Sequence, residues 1–521
     1  MNLPHLLIPD WLALSGYLVL TLAIGAWASR RHAGSDELFL AGRSLGPLAV
    51  GFSLFASNVS SDTIIGLPGA AYATGISAAN YEWMASVVLV VSLVAVYPVL
   101  ARARVSTMPE LLQRRFDRRM RTYLSVVTLF LSVVLDTSGT LYAGALVLTT
   151  FIGHFALWQA TLAIALFTAG YTAAGGLRAV VYTDVMQALV LLVGASVLAW
   201  IVFGQYGHSW AAVLARVPHS HLSLIRPPGD PGVPWPGLLT GLPVVGFYYW
   251  TMNQYIAQRV LGARDLASSS RGALLAALLK LAPLFIMTLP GAMAIGLLPH
   301  LRNADDVWPQ LVVRYAPHGL LGLILAALLA ALMSTCSATL NSAATLVTLD
   351  FVQPARPQWD SRQLARCGRL FTLATAFAAA LWAPQIAHFQ GLWAYLQQVF
   401  AYIASPLVAT FVLGLALPRL GPAAALRGLG CGHALALALF AAGEAGWLSI
   451  HFTVVGGVLF VATALLTLGW MAWLGERDRL AADSAAARLV ERNGLPRLPR
   501  DVWALALAVL GGVALLLWAF A

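Results

Sequence analysis

The strongest constraint in this sequence is the recurrence of apolar runs long enough to cross a lipid bilayer. A helix needs about 20 residues to span about 30 Å of hydrocarbon. We place fourteen such runs, near residues 10–28, 47–74, 80–101, 122–150, 155–174, 180–204, 238–257, 272–298, 317–349, 366–386, 390–416, 424–443, 450–474 and 502–520. In lipid a helix satisfies its own backbone hydrogen bonds. The pattern therefore predicts an all-α polytopic membrane protein with about fourteen transmembrane helices.

The composition excludes several other classes of protein. Only 10% of the residues are charged, against about 25% in soluble domains. Cys336, Cys367 and Cys431 lie far apart, so disulfides and zinc sites are not expected. Lys280 is the only lysine, and its context LLKLA cannot form a Walker A motif. ATP-driven pumping by this chain alone is therefore excluded.

The arginines are distributed unequally between the two sets of alternate loops. One set holds 26 arginines and the other holds 4. Cytoplasmic loops collect positive charge, so the first set is predicted to be cytoplasmic, with both termini on the extracytoplasmic side of the cell membrane. The net charge of +10 then reflects membrane topology, and no nucleic-acid partner is expected.

The second apolar segment is interrupted at mid-membrane by a polar run. Its members are Ser57, Asn58, Ser60, Ser61, Asp62 and Thr63. Such side chains compete with the helical backbone for hydrogen bonds, so the helix is predicted to unwind here. Unwound backbone at membrane depth is tolerated where it lines a cavity or holds an ion. The alternative, helix packing by small polar residues, would need fewer of them.

The seventh segment has a similar interruption, in the run GFYYWTMNQY. Segments 2 and 7 are five apart, so they cross the membrane in opposite directions. This indicates two inverted five-helix repeats, segments 2–6 and 7–11, with a binding site between them. In the ninth segment, Ser334 and Thr335 follow Ala331 by about one helical turn. Their uncharged oxygens suit a singly charged alkali cation.

Four charged side chains fall within apolar segments and are candidates for function by default. They are Glu82, Asp136, Asp184 and Lys280. Asp184 lies near the predicted interface and also has a structural interpretation. For Lys280 the alternative is that its side chain extends to the bilayer surface.

Several runs resemble the sodium:solute symporter family, and within it the sodium/glucose cotransporter branch. They are ASNVSSDTIIGLPGAAYATG, YEWM, GGLRAVVYTDVMQALVLLVG, YYWTMNQYIAQRVLGARD, LKLAPLFIMTLPG and ALMSTCSATLNSAATLVTLDFV. The resemblance covers roughly residues 10–475. It implies a LeuT-type inverted-repeat fold and a secondary active transporter, not an enzyme, that takes up its substrate with Na⁺.

By position, the resemblance implies a set of sodium ligands. They are the carbonyls of Ala56, Val59 and Ala331 and the hydroxyls of Ser334 and Thr335. It leaves open a second sodium ion at Asp184 and Ser337.

The resemblance also implies a set of substrate-binding residues. They are Asn58, Thr63, Tyr81, Glu82, Tyr249, Trp250, Lys280 and Gln398. Thr63, Gly246 and Ala85 depart from the branch, which usually has Gln or His, Asn or Thr, and Ser there. The implied substrate is a neutral sugar, a hexose such as glucose or galactose. Myo-inositol or another small polar solute remains open.

These expectations divide the chain into five parts. They are an extra N-terminal helix and cytoplasmic loop (1–46), the first repeat (47–204), a Pro-rich extracytoplasmic loop (205–237), the second repeat (238–416) and peripheral C-terminal helices (417–521). The rival hypotheses are a membrane-embedded transferase, using Asp305 and Asp306 or the histidines at 208, 219 and 221, and a sodium channel or a sensor.

Overall fold

The computed structural model describes residues 7–29, 35–152, 156–317, 319–388, 392–480, 489–491 and 495–521. Arg30, Arg31, Arg488 and Arg492, which count toward the predicted cytoplasmic set, lie outside these ranges. The described α-helices are Ile8–Ser29, Ser35–Leu40, Pro47–Asn58, Ser61–Thr74, Asn80–Ala95, Tyr97–Ala103, Met108–Arg115, Arg118–Phe130, Ser138–Ile152, Leu157–Gly204, Trp210–Arg216, Trp235–Leu239, Gly241–Phe247, Gln254–Leu261, Leu266–Leu279, Leu289–Met293, Val307–Tyr315, Leu321–Leu346, Gln353–Ala355, Ser361–Trp382, Leu392–Ala416, Pro422–Glu444, Phe452–Leu480 and Arg500–Ala519.

Eleven of the described helices are long and apolar enough to cross a membrane, and the bent pair Pro47–Asn58 and Ser61–Thr74 makes twelve. The 48-residue stretch Leu157–Gly204 consists of two helices that meet at a kink. It contains two of the predicted segments, with a non-helical Gly176 at φ 57° between them. The predicted segment 238–257 is divided among short helices. The count of fourteen therefore stays a prediction.

The second segment is broken where its polar run predicts. The helices on either side of the break meet at an angle of 57°. Val59 ends the first helix in an extended conformation. Ser60 then caps the second, because its hydroxyl accepts a hydrogen bond from the backbone N–H of Thr63. Because the first helix stops here, the carbonyl groups of its last turn accept no hydrogen bond from a following helical turn.

The seventh segment is also broken. A π-helix, Tyr248–Met252, leads into Asn253, whose ψ of 125° is extended, and a new helix begins at Gln254. A π-helical turn inside a helix is frequently found at functional sites. The two interruptions of the sequence are thus two real breaks in the backbone.

Burial falls from the centre of the molecule to its edge. In the most apolar stretch of Leu321–Ala355, 89% of the residues are buried, against 28% in the stretches of Ile8–Ala28 and Arg500–Ala519. The Leu321–Leu346 helix packs against both Leu157–Gly204 and Pro47–Asn58. The predicted ninth segment is therefore central, beside the broken second segment.

A Gly291→Ala substitution is expected to destabilise the protein by about 1–3 kcal/mol, the usual cost of overpacking. A Cβ at Gly291 would lie less than 3 Å from backbone atoms of Pro68, which cannot yield as a side chain would. Thermal unfolding of the purified protein measures this. Gly170→Ala is the control, since a Cβ there meets nothing within 4 Å. Equal stability of the two variants would contradict the close approach.

Candidate substrate and ion site

A cavity of about 60 Å³ lies beside the break in the second segment. Six of the predicted substrate residues line it, namely Asn58, Thr63, Tyr81, Glu82, Tyr249 and Trp250. They come from both sides of the first break, from the start of the Asn80–Ala95 helix and from the π-helix before the second break. The two broken segments therefore meet at one cavity.

Lys280, which follows the Leu266–Leu279 helix, pairs with two of the residues that line this cavity. Its side chain is 1% exposed, and its Nζ donates to the carboxylate of Glu82 and to Oδ1 of Asn58. The same nitrogen lies 5.5 Å from the centre of the Trp250 ring, within the range of a cation–π contact. Lys280 is thus buried and paired, and the alternative that its side chain extends to the bilayer surface is wrong.

Beside the predicted substrate residue Gln398 stands a second amide, that of Gln397. Gln397 is among the residues that line the cavity, and Gln398 is not. Both lie in the Leu392–Ala416 helix, where neighbouring residues point about 100° apart because a turn takes 3.6 residues. Gln397 is therefore a further candidate for the substrate site, and the role of Gln398 stays a prediction.

Two further carboxylates, Asp62 and Asp136, line the same cavity. Asp62 accepts hydrogen bonds from the hydroxyls of Ser60 and Thr140. Asp136 is 8% exposed, and its Oδ2 has no hydrogen-bond partner among the described residues. In the part of the chain that the structure describes, neither carboxylate forms an ion pair. The cavity wall therefore holds three carboxylates, and the ammonium group of Lys280 pairs with one of them, that of Glu82.

Aromatic rings flank the cavity on two sides. Tyr81 packs edge-on against Trp393, with ring centres 5.8 Å apart. Tyr249 packs edge-on against Phe400 and Tyr255, also at 5.8 Å, and its hydroxyl accepts a hydrogen bond from that of Tyr255. Pockets for drug-sized ligands typically measure about 300–1,000 Å³. The cavity between these rings, at about 60 Å³, is much smaller.

One contact joins the ninth segment to the broken second segment where sodium ligands are predicted. The Thr335 hydroxyl donates to the carbonyl of Ser57 at 2.9 Å. Ala56 and Val59 flank that carbonyl at the end of the first helix, and Ala331 is about one turn before Thr335. These hydroxyl and carbonyl oxygens are the hard ligands that an alkali cation prefers.

Asp184 lies next to this group and forms a fully buried ion pair with Arg259. The two side chains are 0% exposed, with Nη2 of Arg259 at 3.0 Å from Oδ2 of Asp184. The other carboxylate oxygen accepts from the Ser334 hydroxyl at 2.6 Å. Ser53 and Ser57 also donate to Asp184. Asp184 therefore contacts both Arg259 and Ser334, one of the predicted sodium ligands.

Ser337, the other predicted ligand of a second sodium, points elsewhere. Its hydroxyl donates to the carbonyl of Ser334 at 2.9 Å. Asp184 is therefore hydrogen-bonded to Ser334 and not to Ser337 in this conformation. A second sodium ion at Asp184 and Ser337 remains a prediction.

Arg259 is one of the 26 arginines counted in the predicted cytoplasmic loops, but the structure places it in a buried helix. The helix Gln254–Leu261 follows the second break and is buried almost throughout. Arg115 is similarly buried, at 1% exposure, and donates to the carbonyls of Gly414, Leu417 and Leu420. The 26 arginines of the charge count therefore include two, Arg115 and Arg259, whose side chains are buried inside the protein.

The residues of the enzyme hypothesis do not assemble into a catalytic centre. Among the described residues, His, Cys, Asp and Glu form no group of three that could hold a metal ion. The ring of His208 packs on Trp200, with centres 4.2 Å apart. Asp305 and Asp306 lie in a short 3₁₀ helix that Asn303 caps.

Comparisons with known proteins show the family of this chain. The model of the sodium:solute symporter family matches residues 38–432. Sodium/glucose cotransporter 2 of Rattus norvegicus is 34% identical, over 88% of this chain and 77% of its own. Sodium/myo-inositol cotransporter 2 of Mus musculus is 35% identical, over 81% and 68%.

Two solved structures show the fold. A Na⁺-coupled sialic acid symporter in a substrate-bound outward-open state has a TM-score of 0.79 at 22% identity, covering 89% of this chain and 97% of its own. Mhp1, a nucleobase-cation-symport-1 family transporter in a closed conformation, has a TM-score of 0.60 at 17% identity, covering 88% and 99%. Both have the LeuT-type fold, which confirms the predicted architecture.

Proposed function

This chain belongs to the sodium:solute symporter family, and we propose that it imports a neutral sugar, a hexose such as glucose or galactose. Its relatives are sodium-coupled cotransporters, so it is a secondary active membrane transporter with Na⁺ as the coupling ion, and not an enzyme. Relatives named for glucose and for myo-inositol are about equally similar. Myo-inositol or another polyol is therefore the second candidate.

The observation that carries the proposal is the excess of hydrogen-bond acceptors in the cavity wall. The carboxyl groups of Glu82, Asp62 and Asp136 offer acceptor oxygens, while Lys280, which pairs with Glu82, only donates. An acceptor left unpaired in a buried site costs free energy, as at Oδ2 of Asp136. Every hydroxyl of a sugar or polyol can donate to such an acceptor. The face of a sugar ring can in turn pack on Tyr249.

Transport would proceed by alternating access. Sodium orders the broken second segment against the ninth, and the ordered segment completes the substrate site. The aromatic pairs on either side of the cavity then open in turn. Sodium and substrate must strengthen each other's binding by equal factors.

The sodium gradient sets how far the substrate can be concentrated. One Na⁺ gains about 2.3 kcal/mol from 100 mV and about 1.4 kcal/mol from a tenfold gradient. This supports roughly 500-fold accumulation of a neutral solute, whereas two ions would support about 10⁵-fold.

Uptake of labelled solutes into proteoliposomes tests the proposal. Labelled glucose, galactose and myo-inositol are each offered with an inward Na⁺ gradient, and with a K⁺ gradient as the control. A hexose is expected to accumulate under the Na⁺ gradient and not under the K⁺ gradient. Accumulation of only the inositol would favour the second candidate. Failure of Na⁺ to drive any of the three would contradict a sugar or polyol substrate.

The topology is part of the same proposal. The arginine-rich loops would face the cytoplasm, with both termini outside the cell membrane, and the two repeats would span residues 47–204 and 238–416. Labelling of single introduced cysteines by an impermeant reagent on intact cells tests the orientation.

Gln397→Ala is expected to raise KM for the transported sugar about tenfold, because it removes an amide that faces the cavity and about 1.4 kcal/mol of hydrogen bonding corresponds to a factor of ten. Gln398→Ala is the matched control on the same helix, with little change expected. Initial rates of uptake against sugar concentration measure both. A larger effect at Gln398 would favour the substrate role predicted for Gln398 instead.

A further inference from the structure

A second, larger cavity lies away from the substrate site, on the proposed cytoplasmic side. It measures about 620 Å³ and lies at the ends of the Tyr97–Ala103 and Gln254–Leu261 helices and the start of Leu266–Leu279. Three arginines, Arg43, Arg104 and Arg264, line it together with a single carboxylate, that of Asp265.

The positive charge of this cavity is only partly balanced. Arg43 donates to the carbonyls of Leu261 and Val105, which carry no formal charge. Nε of Arg264 lies 3.6 Å from Oδ2 of Asp265. That carboxylate also accepts from the backbone N–H of Ser268 at 2.7 Å, as the cap of its helix. The lining therefore has a formal charge of +2.

The neighbours of Arg43 include charges of both signs. Burial lowers the pKa of Arg43, while Asp36 and Glu110 raise it and Arg104 and Arg114 lower it. Glu110 itself is paired with Arg114 at 2.5 Å. Arg104 is exposed and follows its helix in a left-handed conformation with φ 46°, which turns the chain at the cavity wall.

An apolar crevice of about 700 Å³ adjoins the basic cavity, and Pro496 lines both. Its walls include Val94 and Trp503, which are 51% and 47% exposed, together with Val412 and Leu498. Arg497 adds a further cation to its lining. The exposed apolar side chains face outward from the helix bundle, where the hydrocarbon of the bilayer would lie.

We propose that the two cavities together bind one anionic phospholipid, with its phosphate headgroup among Arg43, Arg104 and Arg264 and an acyl chain in the crevice. A charged cavity that continues into an apolar one matches an amphiphile, whereas a soluble phosphate ester would use the basic part alone. Basic pockets between helices on the cytoplasmic side of membrane proteins bind such headgroups. A headgroup with its own ammonium would bring a positive charge to the arginines, so the site discriminates against zwitterionic lipids.

Native mass spectrometry of the purified transporter tests the proposal, with phosphatidylglycerol or phosphatidylcholine added to the detergent. The transporter is expected to retain one phosphatidylglycerol and to bind it at least tenfold more tightly than phosphatidylcholine. In the variant Arg104→Gln with Arg264→Gln, this affinity should fall at least tenfold. Both side chains are exposed, so the variant is expected to fold. The matched control is Arg356→Gln with Arg362→Gln, two exposed arginines outside the cavity.

A second variant and a competitor separate the lipid from a soluble ligand. Val94→Trp fills the crevice from a half-exposed position and should weaken phosphatidylglycerol binding while leaving the arginines intact. Displacement of the lipid by millimolar glycerol 3-phosphate, without any effect of Val94→Trp, would overturn the lipid proposal. Equal retention by the double-arginine variant and its control would overturn it as well.

Discussion

Lys280→Met is expected to abolish transport and to lower the stability of the protein by about 3–5 kcal/mol. The substitution leaves the carboxylate of Glu82 buried without its cation, and breaking one side of a buried ion pair has this cost. Glu82 is 5% exposed and Lys280 1% exposed, so the pair is shielded from bulk solvent. Thermal unfolding followed by tryptophan fluorescence and uptake into proteoliposomes measure the two effects.

The double variant Glu82→Gln with Lys280→Met separates folding from binding. Removing both charges of a buried pair is often nearly neutral for stability, so the double variant should unfold close to the wild-type temperature. It should still fail to transport, because the substrate loses both an acceptor and a donor. Arg271→Gln is a control that breaks an exposed pair with Asp501 and should leave the unfolding temperature unchanged. Transport at the wild-type rate by the double variant would contradict a substrate role for the pair.

The sequence predicts the two breaks because the signal for each is local. Asn, Ser and Asp between apolar runs compete with the helix at the point where they stand, and the break at Val59 and Ser60 falls inside the run. Lys280 was predictable for a related reason. A single lysine in an apolar segment is costly wherever the segment lies, so its position alone suggests a function.

What depends on tertiary contacts could not be predicted in the same way. Arg259 follows a break, in a short helix that resembles a loop in sequence, and only the fold shows that it meets Asp184. Gln397 and Gln398 are adjacent and chemically identical, so the choice between them needs the rotation of the helix. Asp136 was identified as a buried acid, but its place beside Asp62 depends on how two helices pack.

Ser334→Ala combined with Thr335→Ala is expected to abolish sodium-dependent uptake while the protein still folds. The two hydroxyls are the only side-chain ligands of the proposed sodium site, and its remaining ligands are backbone carbonyls. Asp184 would keep its bonds from Ser53, Ser57 and Arg259. The buried ion pair therefore stays intact. Oδ1 of Asp184 and the carbonyl of Ser57 lose their hydroxyl donors, so a loss of stability of about 1–3 kcal/mol is expected without sodium.

Sodium binding to the folded state provides a second measurement that does not require transport. At a concentration ten times its Kd, sodium should stabilise the wild type by about 1.4 kcal/mol, and this stabilisation should vanish in the double variant. Ser342→Ala is the control, since Ser342 is buried on the same helix and its hydroxyl has no partner among the described residues. Undiminished sodium-driven uptake would refute the site at Ser334 and Thr335. Loss of uptake with sodium stabilisation retained would mean that the ion binds elsewhere and that these hydroxyls act in a later step of the cycle.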